Sequence, residues 1–524
     1  FYSPAPPPPP PPGLGGCVGV GGCGGGGGRR TAPNYTNCPT VRLPAPPRPR
    51  WGGGAGGPAS SKSQLYVGIH GDCHACRPPH PQPFNQTIPM TTNPLLIENG
   101  RIIDPSQQLD HLARLLIIDG NVAAIDPSDG DLPSNCERMD ASGRIVAPGL
   151  VDLGAELREP GYEEDETIQS TSEAALAGGF TSVLCCSSTT PCVDSPGAVE
   201  FVRQKAAKAS GVRVHVIGCL SKGRSGEQMA ELGLLADAGA VAFSDAPHSM
   251  PNDALLKRAL EYCRMFNLPI FDRPDVPELA DGGVMHDGRV SLVLGLKGLP
   301  TESEDLAVAR DVRLAEATEG RLHVGPVSTM GAVDMIRRVK SRGIEVTASV
   351  CPHNLCLSDV ELRSFDAKYK VHPPLRSERH VETLRRAVAD GTIDAIQTGH
   401  MPRSREKKMN DLDLAPFGAA SLETTLATVI TYMIKDGLID WLTALDRLST
   451  APARIAGIPG GTLAISAPAD IILIDPDTTW VVDGNQFHSR CKSSPLDGVT
   501  LQGKVTHTIV NGTIRVWEGS EAVG

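Results

Sequence analysis

Short apolar segments alternate with amphipathic helical segments across residues 148–455, and this alternation restricts the possible fold most strongly. Short apolar runs predict buried strands, while helical spacing predicts the segments between them, such as 197–209, 226–238 and 253–266. The predicted strands lie at 145–152, 182–186, 212–218, 240–245, 268–272, 321–325, 344–350 and 395–399. About eight such units predict a parallel (β/α)8 TIM barrel, whose chemistry lies at the C-terminal ends of its strands.

The segments on both sides of this region have strand character instead. Apolar runs surround Asn99-Gly100 and Asp119-Gly120, which are typical turn pairs of antiparallel sheets. Similar runs occupy 469–476 and 505–516. We therefore expect residues 94–147 and 456–518 to form one composite β-sandwich domain that flanks the barrel domain of residues 148–455.

The first 89 residues have a different composition. Pro6–Pro12 and Gly24–Gly28 are uninterrupted runs, and such a segment buries too little apolar surface to offset the entropy of ordering its backbone. The first methionine, Met90, directly precedes the periodic sequence. Residues 1–89 are predicted to be a disordered Pro/Gly-rich extension, either a tail of the protein or an upstream reading-frame extension.

Composition excludes several classes of partner. The formal net charge of −11 argues against nonspecific nucleic-acid binding, which requires a basic surface. No apolar run reaches the ~18 residues of a membrane span, and no signal-peptide pattern is visible. The 14 cysteines are mostly spread through predicted strands and helices, as free thiols are. We expect a cytoplasmic protein without nucleic-acid or membrane partners.

Residues 151–161, Val-Asp-Leu-Gly-Ala-Glu-Leu-Arg-Glu-Pro-Gly, end the first predicted barrel strand. With several other motifs they make the chain resemble the class I dihydroorotases of the amidohydrolase superfamily over residues 94–518. The other shared motifs are Ala147–Leu153, Thr190–Ser195, Val327–Val333, Lys370–Ser377, Gly391–Ile396, Ala415–Gly418 and Leu422–Thr424. The resemblance implies hydrolysis of dihydroorotate, or its formation from carbamoyl aspartate, in pyrimidine biosynthesis, with one or two zinc ions at the barrel mouth.

The family's metal-binding and general-base positions carry mostly unsuitable residues in this chain. Proline and glycine offer no side-chain donor atom, and arginine remains cationic. We therefore expect no metal, no cofactor and no catalytic residue. The positions are Gly154 and Glu156 (two histidines in the family), Asp245 (a retained acid), Arg273 and Pro326 (two further histidines), and Gly399 (the aspartate general base).

The substrate-binding positions implied by the resemblance are also altered. Arg158 is retained, and its guanidinium suits a carboxylate, although it is also interpreted as a structural arginine. Ser188 and His372 stand where the family has asparagines. We expect Arg273 to supply part of the missing metal charge and to keep the remaining acids, Glu156 and Asp245, from repelling each other.

Two further interpretations concern the predicted mouth. The first is a relocated metal site built from side chains at several strand ends. We favour the alternative that the histidines there only form hydrogen bonds, because metal sites need specific geometry and supporting contacts. The stretch Arg403–Lys408 is interpreted as a solvated loop. The residues considered for the relocated site are Glu156, Asp245, His323, His353, His372 and His400.

We therefore expect a dihydroorotase-like pseudoenzyme that serves as a non-catalytic partner. The resemblance implies aspartate transcarbamoylase as that partner, because inactive chains of this family associate with it, and a homo-oligomer is also considered. The alternative is an active dihydroorotase, or another cyclic-amide hydrolase, with a remodelled zinc centre. A third hypothesis is metal-independent binding of a small dicarboxylate through Arg158 and Arg273.

Overall fold

The computed structural model describes residues 93–209 and 211–517, so the predicted extension 1–89 lies outside the described part of the chain. A nearly closed sheet of eight parallel strands forms a barrel, and a second eight-stranded sheet lies beside it. This confirms the predicted (β/α)8 barrel. The barrel strands are Leu150–Ala155, Phe180–Cys185, Arg213–Gly218, Ala240–Phe243, Ile270–Asp272, Leu322–Val324, Val346–Val350 and Ala395–Ile396.

Helices surround the barrel and bury its outer surface. No helix in the described residues is long and apolar enough to cross a membrane. The α-helices are Ile168–Ala177, Pro196–Ala206, Leu232–Asp237, Asp253–Cys263, Pro277–Ala280, Arg289–Leu294, Thr301–Thr318, Met330–Lys340, Glu378–Ala389, Arg405–Lys408, Thr425–Val429, Trp441–Leu445 and Ala451–Ala456.

Strand alternation divides the barrel residues between two cores. Val183 packs with the surrounding helices, whereas the next residue, Leu184, packs inside the barrel. This follows from the period of two along a strand. Residues of the helix Ala451–Ala456 join the inner core, and Ser449 just before it donates a hydrogen bond to the carbonyl of Gly149 at 2.6 Å. This helix therefore closes the N-terminal end of the barrel and leaves the opposite end available for a site.

The second sheet combines strands from both ends of the described region. Ile471–Val481 pairs antiparallel with Ile145–Pro148, directly before the first barrel strand. The domain boundaries proposed from the sequence stay a prediction. In sheet order the strands are Thr513–Trp517, Thr500–Val510, Ile471–Val481, Ile145–Pro148, Leu95–Asp104, Leu109–Ile118 and Asn121–Ile125, with Glu137–Asp140 pairing alongside Leu95–Asp104.

A buried carboxylate joins the first barrel strand to the last. Asp152 accepts hydrogen bonds from the backbone N–H of Thr398 at 2.7 Å and from its hydroxyl at 3.0 Å. Near the mouth, the N–H of Glu156 donates to the carbonyl of His400 at 2.9 Å. Burial raises the pKa of Asp152. These contacts fix the chain at 398–400 against residues 152–156, where the predicted site residues lie.

Replacing Asp152 tests the importance of this closure. Asp152→Ala leaves the N–H of Thr398 buried without an acceptor, and we expect the free energy of unfolding to fall by about 1–3 kcal/mol. Asp152→Asn keeps an acceptor and is expected to lose less. Urea denaturation of both variants and the wild type measures the difference. Equal losses in the two variants would contradict this role of the acceptor.

Candidate functional site

A cavity of about 60 Å³ lies at the C-terminal ends of the barrel strands. It is lined by residues from several strand ends, as expected for this barrel type. The structure therefore brings together residues that are widely separated in sequence and that the family resemblance had selected. These residues are Gly154, Glu156, Arg273, Pro326, His372 and Gly399.

Three of the selected residues do not line this cavity: Arg158, Ser188 and Asp245. Ser188 is buried nearby in the loop after the second barrel strand. The carboxylate of Asp245 accepts hydrogen bonds from the backbone N–H groups of Leu220 at 2.9 Å and Ser221 at 3.0 Å, and from the Ser221 hydroxyl. Asp245 thus holds the turn after the third barrel strand.

Glu156 is neutralised by two arginines. Its Oε2 accepts hydrogen bonds from Arg158 at 3.2 Å and from Arg403 at 2.8 Å. Arg158 also binds Asp165 at 2.9 Å, and its guanidinium lies 4.0 Å from the ring centre of Tyr162. Arg158 therefore has a structural role in this state, because its carboxylate partners come from the protein itself.

The stretch Arg403–Lys408, predicted as a solvated loop, is tied to the barrel by several contacts. Besides the contact of Arg403, Lys407 donates to Asp165 at 2.8 Å, and the Ser404 N–H donates to the same carboxylate oxygen at 2.8 Å. Lys408 is buried and donates to backbone carbonyl oxygens, and burial lowers its pKa to about 8. Arg405 and Glu406 are exposed, as expected for a solvated loop. Arg403 and Lys407 are instead paired with Glu156 and Asp165, which lie more than 240 positions earlier in the sequence.

Arg273 places a buried positive charge in the cavity wall. Its residue is only 6 % exposed, and its guanidinium donates one hydrogen bond, to Nδ1 of His372. Since a guanidinium can only donate, Nδ1 of His372 accepts and the imidazole is neutral. Burial and then the charge of Arg273 lower the pKa of His372 well below its usual value. Nε2 of His372 lies 3.9 Å from the carboxylate of Asp275.

Gly399, at the general-base position, occupies a space that holds no side chain. Its φ of +65° lies in the left-handed region, and an added Cβ would lie 2.5 Å from Sγ of Cys351 and 3.1 Å from Cε1 of His353. Both neighbours are buried. A carboxylate therefore cannot be attached here without displacing Cys351 and His353.

The mouth histidines have separate environments. His323 bonds Thr347 and Ser349, each at 2.9 Å. Nδ1 of His400 accepts from the Ser421 N–H at 3.3 Å. Among the residues that the structure describes, none hydrogen-bonds either ring nitrogen of His353, and burial lowers its pKa to about 3. The expectation that all of these histidines are hydrogen-bonded therefore fails for His353.

Two residues at or beside the site, Glu166 and Gln397, were not selected from the sequence. His400 Nε2 lies 3.7 Å from Glu166, a buried acid in the run Glu163–Glu166, and Gln397 lines the cavity. The acidic run was the one visible signal, because buried acids need partners. Gln397 gave none.

The residues present do not fit a zinc ion held as the family resemblance implies. Zinc is bound by cysteine, histidine and carboxylate side chains in tetrahedral arrangements. Here the corresponding positions hold Gly154, Pro326 and the cation of Arg273, and Glu156 is already paired with two arginines. Within residues 93–209 and 211–517, no group of three or more histidine, cysteine or acidic side chains is arranged to hold a metal.

Comparison with known proteins places this barrel in a family. A model described as "Dihydro-orotase-like" matches residues 143–331, and one described as "Amidohydrolase family" matches residues 283–515. The fold is also found in an L-hydantoinase (dihydropyrimidinase) from Arthrobacter aurescens, with a TM-score of 0.74 at 24 % identity, covering 82 % of this chain and 97 % of that one.

Sequence relatives cover nearly the same region. A protein of Rhodopirellula baltica named "Putative dihydroorotase" is 66 % identical over 80 % of this chain and 92 % of its own length. A protein of Pelotomaculum thermopropionicum named "Dihydroorotase" is 42 % identical over 80 % of this chain and 98 % of its own. The chain belongs to the dihydroorotase family of the amidohydrolase superfamily.

Proposed function

We propose that this chain is a dihydroorotase-family protein of pyrimidine biosynthesis that does not hydrolyse dihydroorotate. The buried guanidinium of Arg273 carries this proposal, because it lies in the cavity where the resemblance places a metal-binding histidine. Hydrolysis of a cyclic amide needs an activated water and a base that can take its proton. Neither Gly399 nor the doubly paired Glu156 offers such a base.

The size of the cavity supports the same proposal. Ligand pockets for small organic molecules usually measure about 300–1,000 Å³, far more than the roughly 60 Å³ available here. Arg403 and Lys407 also tie their loop to Glu156, which lines the cavity, and to Asp165.

Metal analysis and turnover of the purified full chain test the proposal. We expect zinc well below one ion per chain after growth in zinc-supplemented medium. We also expect no measurable hydrolysis of dihydroorotate or cyclisation of carbamoyl aspartate. The Pelotomaculum relative, assayed under the same conditions, is the positive control. One zinc per chain together with turnover would overturn the proposal.

The second candidate is an active dihydroorotase with a remodelled metal centre. The names of the relatives that are 42 % and 66 % identical over most of their length favour it. It requires ligands other than the residues at the family positions, and a base other than residue 399. The metal and turnover measurements distinguish the two candidates directly.

Substitution at Gly399 tests whether this position merely lacks a carboxylate or has no room for one. We expect Gly399→Asp to lower the free energy of unfolding by about 1–3 kcal/mol, because of its positive φ and the contact with Cys351, and to produce no hydrolysis. Gly437→Asp is the matched control, because Gly437 has a φ of +70° and no neighbouring atom within 4 Å. Thermal denaturation compares the two. Hydrolysis by Gly399→Asp with zinc would contradict the crowded geometry.

We further propose that the chain acts as a non-catalytic partner of aspartate transcarbamoylase. Supporting this are four exposed apolar side chains on two segments whose buried residues share one small core, since exposed apolar surface favours protein interfaces. Leu292 and Val293 are 83 % and 71 % exposed, Met409 is 75 % exposed and Leu414 is 73 % exposed. A second copy of the chain is the competing occupant.

A charge introduced on this surface tests the partnership. We expect Leu292→Glu to weaken association with the aspartate transcarbamoylase of the same organism by about tenfold, since few interface residues supply most binding energy. Leu112→Glu, at a 74 % exposed position on the flanking sheet, is the matched control. Sedimentation velocity with both proteins measures the association. No complex with the wild type, or equal binding by both variants, would contradict the proposed partner surface.

A further inference from the structure

Arg273 is a buried cation without an anionic partner among the described residues. It is 6 % exposed, its Nε has no hydrogen-bond partner, and its one hydrogen bond goes to the neutral imidazole of His372. A buried charge is normally paired, because transfer from water to the interior is costly unless an opposite charge compensates it. Glu156 and Asp275 offset part of this charge from a distance, but neither forms an ion pair with Arg273 in the described part of the chain, so the charge can accept a further anion.

The nearby acids are already committed to other cations or donors. Glu156 binds Arg158 and Arg403. Asp272, the residue before Arg273, binds Arg310 at 2.7 Å. Asp275 accepts a hydrogen bond from the Ser303 hydroxyl, and its carboxylate lies 3.9 Å from Nε2 of His372. Asp245 is held by the turn at Leu220 and Ser221.

A second donor faces the same cavity. Gln397 accepts a hydrogen bond at Oε1 from the Ser349 hydroxyl at 2.6 Å, and the Ser349 oxygen is in turn bonded to Nε2 of His323 at 2.9 Å. This chain of bonds orients the Gln397 amide so that its oxygen accepts from Ser349 and its NH₂ group can donate to a ligand. Gln397 and Arg273 both line the cavity, so an arginine and an amide donor are available to one ligand.

We propose that this cavity binds a small planar oxyanion, of the carboxylate or bicarbonate type, through Arg273 and Gln397. The guanidinium presents a planar fork of N–H donors that matches two oxygens of one such group. The cavity of about 60 Å³ has room for an ion of a few heavy atoms. The anion then compensates the charge of Arg273. This inference does not depend on catalytic inactivity, because binding is measured without turnover.

Of the two arginines considered for anion binding, Arg158 and Arg273, the proposal assigns the ligand to Arg273. Arg158 is occupied by Glu156 and Asp165, at 3.2 and 2.9 Å, and it does not line the cavity. The earlier hypothesis of a dicarboxylate held between Arg158 and Arg273 is therefore replaced by a monoanion at Arg273.

Isothermal titration calorimetry of the chelator-treated full chain tests the site. Sodium formate, acetate and bicarbonate are titrated separately in a chloride-free Hepes buffer. We expect at least one of them to bind the wild type and Arg338→Gln with equal affinity. Arg338 is an exposed helix arginine, so this variant makes the same change elsewhere. Binding to Arg273→Gln is expected to be about tenfold weaker or more, the typical cost of losing a charged hydrogen-bond partner.

A second variant and a second measurement keep the proposal testable if Arg273→Gln does not fold. Gln397→Leu keeps the charge of Arg273 and is expected to weaken binding of the same anion. The melting temperature of the wild type is expected to rise when that anion is added. No binding of any of the three anions at millimolar concentrations would overturn the proposal. Unchanged affinity in Arg273→Gln, or chloride binding as tightly as the oxyanion, would also overturn it.

Discussion

The arrangement of the mouth depends on the bond between the Asp152 carboxylate and Thr398. The first and last barrel strands are not paired by their backbones, so this side chain and the Glu156–His400 backbone bond join them. Fixing Thr398 also fixes Gly399 and His400, which follow it directly. The crowding of Gly399 by Cys351 and the neighbourhood of His400 and Glu166 are therefore consequences of how the barrel closes.

The electrostatic character of the mouth differs from that of a metal centre. A zinc site collects anionic and neutral ligands around a cation, whereas this mouth contains arginines and a lysine that are fixed to the protein. Arg158, Arg403 and Lys407 bind Glu156 and Asp165, so these cations hold the loop 403–408 against residues 156–165. Arg273 is the charge left over from this pairing. Its neighbour Asp272 is held by Arg310, which positions the strand end that carries Arg273.

The sequence predicted the barrel well because its strands are short local patterns. The strand near residues 213–218 and the helix from Asp253 were found from neighbouring residues alone. The helix predicted at 226–238 begins only at Leu232, because Ser221 pairs with Met229 in a bridge that occupies the preceding residues. That bridge is a tertiary contact, and helical spacing carries no information about it.

The sequence predicted which residues lie at the mouth but not which residues contact each other there. The motifs placed Gly154, Arg273 and Gly399 at one mouth, and all three line the cavity. The crowding of Gly399 depends on Cys351, 48 positions earlier, and the ion pair of Arg403 depends on Glu156, 247 positions earlier. Such pairings follow from the folded geometry, since neither residue type nor local spacing selects one partner among many.

The contact between the loop of Arg403 and Glu156 in the cavity wall has an energetic consequence. Arg403 and Arg158 share one oxygen of Glu156, so the loop cannot lift without leaving that carboxylate with a single cation. Separating Arg403 from Glu156 would therefore cost the energy of one buried ion pair, and this cost favours the position of the loop described here.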